Sequence, residues 1–203
     1  ERFLFFDPRT IGLAADGVQP VPILGGGRIT GRAGPLSLAA LNLTTAPASD
    51  PATGLDEPLR SYSVLRVKTQ LFGPSTVGLI GLSREDDGGT FHRGAGADLN
   101  LQLSPALRVG GYAARTMTSG LTAGDDWAVN GDALLQTPHF EMHAVVTDIG
   151  TNFRPEMGFV TRSGMRKFQL SPNVILTPNE KELNRVYLAA NVDQVMGRDG
   201  ALQ

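Results

Sequence analysis

Apolar and polar residues alternate along much of this chain with a period of two, the spacing that sends successive side chains to opposite faces of an extended strand. The clearest run places Ala95, Ala97, Leu99, Leu101 and Leu103 on one face and Gly96, Asp98, Asn100 and Gln102 on the other. The same reading separates Leu65, Val67, Thr69 and Leu71 from Arg66, Lys68 and Gln70. It also separates Phe140, Met142, Ala144 and Val146 from His139, Glu141, His143 and Thr147. Strands of about ten residues are predicted near 27–33, 36–45, 61–72, 76–83, 94–103, 107–116, 127–136, 139–147, 159–170, 173–177 and 185–195.

The punctuation between these runs is itself periodic. Gly34-Pro35, Gly73-Pro74, Ser104-Pro105, Thr137-Pro138 and Ser171-Pro172 put prolines 39, 31, 33 and 34 residues apart. Proline presets φ and offers no ladder donor, so tight turns are expected near 35, 74, 105, 138 and 172. Longer connections rich in Gly, Asp and Pro fall between them, at 46–60, 84–93, 117–126, 148–158 and 177–184. Short turns alternating with long loops, joined by strands long enough to cross a bilayer at a tilt, are the pattern of an outer-membrane barrel. The expected fold is all-β: an antiparallel up-and-down meander of an outer-membrane-type β-barrel, a single domain over residues 1–203. Eleven strands is an odd count, the start lacks a signal peptide, and the end at Ala201-Leu202-Gln203 lacks a terminal aromatic, so a fragment of a larger barrel is expected.

Alternation alone fits a second solvent, since a soluble sandwich or barrel turns the same apolar faces inward. Strand length, the asymmetry of turns and loops, and the mid-strand charges Arg66, Lys68, Asp98, Arg108, Asp132, Glu141 and Arg166 favour the membrane, because a wet lumen tolerates charge that lipid does not. The aromatic content of 6%, with Trp127 as the only tryptophan, gives a sparse aromatic girdle and weighs the other way. Composition adds exclusions. With 25 Gly and 13 Pro, long helices are disfavoured, and no run of 18 apolar residues supplies a transmembrane helix. A formal net charge of −2 gives no case for nucleic acid, and the absence of cysteine removes disulfides, thiolate metal sites and thiol nucleophiles.

Three segments resemble one family: Val21-Pro22-Ile23-Leu24-Gly25-Gly26-Gly27-Arg28-Ile29-Thr30-Gly31-Arg32; Val64-Leu65-Arg66-Val67-Lys68 leading to Gly73-Pro74-Ser75-Thr76-Val77-Gly78; and Asn152-Phe153-Arg154-Pro155-Glu156-Met157-Gly158-Phe159-Val160-Thr161-Arg162. It is the uncharacterised β-barrel domain that follows a family 9 carbohydrate-binding-like module in large bacterial proteins. The likeness runs roughly from Phe3 to Phe168, and its last segment is the most specific. It implies a bacterial outer-membrane protein with outer-membrane lipid as partner, carbohydrate as a second candidate partner through the attached module, and no catalytic residues to transfer.

Candidate chemistry is sparse. Arg66, Lys68, Asp98, Asn100, His139, Glu141 and His143 are expected as a lumenal polar set. His139, Glu141 and His143 are two apart on one face, but at about 3.3 Å per residue the outer two lie roughly 13 Å apart, too far for one ion, so no metal is assigned. Asp86-Asp87-Gly88-Gly89 and Gly124-Asp125-Asp126 lack calcium-loop spacing and read as solvated loop acids. Gly25-Gly26-Gly27 lacks the Lys-Ser/Thr of a phosphate loop. Arg154, Glu156 and Arg162 are the motif candidates, a carboxylate between two arginines suited to a lumenal salt-bridge network. Asp148 with Glu156 is a conceivable pair of carboxylates for hydrolysis of a glycosidic bond, though any two loop acids could be nominated in the same way. The expectation is a non-enzymatic outer-membrane barrel without cofactor, serving as channel, uptake component or anchor for a surface carbohydrate-binding module. The rival is a soluble or surface-exposed all-β domain that binds or hydrolyses glycans.

Overall fold

The computed structural model of the chain describes residues 3–14, 16–50, 53–121, 123–178 and 185–198. Parts of the expected connections at 46–60, 117–126 and 177–184, and the terminal Ala201-Leu202-Gln203, lie outside them. All the regular structure is β apart from one 3-10 turn, Pro8–Thr10. In chain order the strands are β1 (Phe3–Leu4), β2 (Ile23–Ala33), β3 (Leu36–Thr45), β4 (Ala48–Asp50), β5 (Leu55–Glu57), β6 (Arg60–Gln70), β7 (Thr76–Asp86) and β8 (Phe91–Gln102). They continue with β9 (Leu107–Thr118), β10 (Trp127–Gln136), β11 (Phe140–Ile149), β12 (Phe159–Val160), β13 (Met165–Leu176), β14 (Val186–Ala189) and β15 (Val192–Gly197).

The main sheet is a pure antiparallel meander in the order β14-β13-β11-β10-β9-β8-β7-β6-β3-β2, with β15 also paired to β13. Its long strands run 10 to 12 residues. Among the described residues β2 and the β14–β15 side are free edges, so the sheet is open. The small pair β4 and β5 stands within the first long connection.

The expected turns form at Gly34-Pro35, Gly73-Pro74, Ser104-Pro105 and Thr137-Pro138. Gly34 and Gly73 supply the positive φ, 56° and 49°, that a side chain would strain. The turn expected at Ser171-Pro172 does not form. β13 runs through Pro172, which pairs with Met142 of β11. The Pro172 carbonyl accepts the Ala190 amide at 3.0 Å, so the side on which proline lacks its donor faces β14 and β15, where pairing breaks between Ala189 and Val192. The predicted strands 159–170 and 173–177 therefore merge into one long strand, and the predicted strand 185–195 splits in two.

Register assigns every strand's faces, since directly paired residues in an antiparallel sheet point the same way. One face is bare. Leu38, Leu65, Leu79, Leu99, Val129 and Val146 all lie on it, each between 39 and 60% exposed. Among the described residues its only charges on the paired strands are Glu85, Arg93, Arg115, Asp148 and Arg166, all at the strand ends away from the proline turns, where the connection expected at 84–93 shrinks to the four residues 87–90. Arg166, expected mid-strand beside a lumen, belongs to this set and bonds Asp148 at 2.8 Å.

The opposite face is covered at its long-loop end by two irregular segments. The first comprises residues 3–14 and 16–22 and the second residues 150–164. They pair with each other through β1 and β12, and the Asp7 amide donates to the Met157 carbonyl at 2.8 Å. Ile11 and Met157 bury Tyr62, Val64 and Leu82, while Phe153 packs with Ala114, Ala128, Ile149 and Met165. Phe5 joins both groups and stacks on Phe153, ring centroids 6.3 Å apart. Gly158 lets the segments touch, since a Cβ there would lie 2.1 Å from the Leu4 carbonyl oxygen.

Candidate functional site

The chemistry of the molecule collects on the covered face. Towards the tight turns this face is polar and open, carrying Lys68, Asn100, Arg108, Asp132, Glu141 and His143. Arg66 and Asp98 come from strands flanking β7 and form an ion pair across it. Gly78 makes this possible, because a Cβ at that position would stand 2.6 Å from the Arg66 guanidinium and 2.7 Å from the Asp98 carboxylate. Gly110 opens the same kind of space for Asp132, whose carboxylate would lie 2.6 Å from a Cβ there. Lys68 and Asn100 are exposed. Of the expected lumenal set, the structure thus joins Arg66 to Asp98 and leaves the others as a dispersed polar row.

The histidines do not converge. His139 precedes β11, is exposed, and offers its carbonyl to the Ile175 amide at 2.8 Å. Glu141 accepts from the Gln136 side chain at 2.9 Å, and His143 sits between Leu134 and Ser171. Among the described residues no group of three His, Asp or Glu side chains is placed to hold a metal ion.

Nearer the long loops, a charged cluster fastens the second covering segment to the sheet. Arg84 of β7 reaches Glu156 at 2.5 Å and Asp86 at 3.5 Å, and Arg60 of β6 reaches Glu57 at 2.5 Å and Asp86 at 3.4 Å. His92 is fully buried beside them, 4.0 Å from Glu156, with Nδ1 sharing a 2.8 Å hydrogen bond with the Thr118 hydroxyl. Of the three motif candidates only Glu156 enters this cluster. Arg154 and Arg162 are exposed, and Arg154 contributes through its backbone amide, which donates to the Thr116 hydroxyl at 3.2 Å. The expected network of one carboxylate between two neighbouring arginines is replaced by a pairing with an arginine 72 positions earlier (156 − 84), which spacing along the chain does not reveal.

The loop acids are also employed. Asp125, in the left-handed region at φ 57°, accepts from the Thr151 amide and hydroxyl at 2.8 and 2.6 Å and pairs with Arg198. Asp126 bonds Arg115 at 2.8 Å, and this guanidinium holds the Asp126 carboxyl below the usual carboxylate range. These contacts tie the connection before β10 to the one after β11. Asp148 faces the bare side, held by Arg166 and Arg198, whereas Glu156 faces the covered side, so the two carboxylates are not assembled around a common substrate position.

Two of the cavities among the described residues lie beside the cover. The larger, about 790 Å³, opens between Phe5, Phe6 and Ile11 on one wall and Leu41, Leu43, Val64 and Ile80 on the other. The smaller, about 620 Å³, is bounded by Asp7, Arg9, Arg60, Tyr62, Arg84 and Glu156. Asp7 caps the short 3-10 turn, and its hydrogen bonds from the Arg9 side chain and amide keep its carboxyl below the ordinary range.

Comparison with protein-family models, with curated proteins and with solved structures returns no match.

Proposed function

We propose that this chain is the membrane-embedded part of a bacterial outer-membrane protein, a non-enzymatic β-barrel acting as channel, uptake component or anchor for a surface carbohydrate-binding module. The observation that carries the reading is the bare face. Large aliphatic residues stand exposed across it and its charges are confined to one end, whereas the covered face carries charge along its whole length. Water disfavours such a face over a patch this wide, and hydrocarbon suits it.

Strand number agrees. Taken as one strand interrupted opposite Pro172, β14 and β15 bring the meander to ten strands, and β2 then runs antiparallel to that last strand. This is the direction needed for closure, either directly or through further pairs of strands, and lipid demands closure because it offers no partner to a bare sheet edge. The resemblance of the segments around Gly25, Gly73 and Phe153 to the barrel domain behind a carbohydrate-binding-like module supplies the anchoring alternative.

Refolding into phosphatidylcholine vesicles tests the reading. Insertion should give a protease-resistant species of changed electrophoretic mobility before heating. A chain that stays monomeric and soluble without detergent, with Leu65, Leu79 and Leu99 protected from solvent, would overturn it.

A further inference from the structure

The larger cavity has an unusual combination of walls. Its side chains are overwhelmingly apolar, and the covering segment fills the space only in part, leaving about 790 Å³, within the size range of small-molecule sites. Three charged groups reach it: Arg28, Arg66 and Asp98. Arg66 and Asp98 neutralise one another across Gly78. Arg28 on β2 is exposed and has no hydrogen bond or ion pair among the described residues, so the cavity has one uncompensated positive charge, at its rim. An apolar space of this kind holds water poorly, and a single cation beside it selects for sign.

We infer that this cavity is a binding site for a single-chain amphiphile with an anionic head group, the apolar chain lying between Phe6, Leu41 and Ile80 and the head group held by Arg28. The site lies on the covered face and does not depend on what the bare face meets. Arg28 donates from its planar fork to a carboxylate or phosphate, and the Thr30 hydroxyl, on the same face one step along β2, stands at the same rim. Phe5 and Gly96 close the far end, where a Cβ on Gly96 would come within 3.3 Å of the ring.

Photo-crosslinking tests this with hexadecanoic acid carrying a diazirine in its chain and the whole chain in phosphatidylcholine nanodiscs or, where it does not insert, in detergent-free buffer. Labels, assigned residue by residue, should fall on Leu41 and Ile80 and not on the neighbouring Leu79, and be displaced by excess hexadecanoate. The matching hexadecanol probe should label these residues about tenfold less, and Arg28→Ala should lower acid labelling by a similar factor while Arg28→Lys retains most of it. Ala39→Trp, which fills the cavity beside Arg66 while leaving Arg28 in place, should abolish labelling. Equal labelling of Leu41 and Ile80 by hexadecyl phosphate supports recognition of any compact anion. Labels confined to Leu79 and Leu99 on the bare face, equal labelling by acid and alcohol, or labelling unchanged in both Arg28→Ala and Ala39→Trp would overturn the inference.

Discussion

The two faces of the same strands alternate apolar and polar residues in the same way but have opposite fates. On β8, Ala95, Ala97 and Leu99 face outward with no partner, while Gly94 and Gly96 face inward against the Phe5 ring. The inner face near the long loops has small residues where the covering segments press closest, and large ones, such as Tyr62 and Leu82, beside them. The outer face has no such complementarity. Packing specificity belongs to one side of this sheet; the other presents exposed aliphatic residues that no segment among the described residues covers.

That contrast can be broken at several points. The largest effect is expected from Phe153→Ala, which empties a site only 1% exposed and should cost about 3–5 kcal/mol in urea-induced unfolding, while Leu79→Ala on the bare face should cost far less. Next, Leu99→Arg should impair refolding into vesicles by about 2–4 kcal/mol, against a near-neutral Asn100→Arg one residue along and on the other face; equal effects would erase the distinction between faces. Gly78→Ala should follow at about 1–3 kcal/mol, since the new methyl displaces the Arg66–Asp98 pair, and the shortfall should shrink in the Asp98→Ala background, as a double-mutant cycle would reveal. Glu85→Gln, which removes one exposed partner of a surface pair, should leave stability unchanged within error and serves as the baseline.

Much of this arrangement can be read from the chain. Period-two runs such as 95–103 give the faces correctly, and four of five proline signals mark tight turns, because both depend on neighbours in sequence. Pro172 misleads because its meaning depends on a partner strand: a proline next to a gap in pairing is permitted mid-strand, and the gap at Ala190 and Asn191 has no local signature. The segment 152–162 stands out in the sequence, but its use does not. Phe153, Met157 and Gly158 dock the first residues of the chain, and Glu156 finds Arg84, all through contacts between distant positions. Arg28 and the cavity beside it were invisible for the same reason, since both walls come together only after the cover is in place.

The stacking of Phe5 on Phe153 also bears on how the molecule is built. These rings are 148 residues apart (153 − 5), so the segment around Phe5 cannot find its seat until the chain has been made as far as Phe153. Each hairpin of the meander can form from adjacent chain, but the cover requires closing a loop that spans almost all of them, an entropically late event. The sheet is thus expected to assemble first with the inner face uncovered, and the two covering segments to settle last. During that interval the inner face is accessible along its whole length, and a ligand small enough to lie beneath Phe6 would have its widest route of entry.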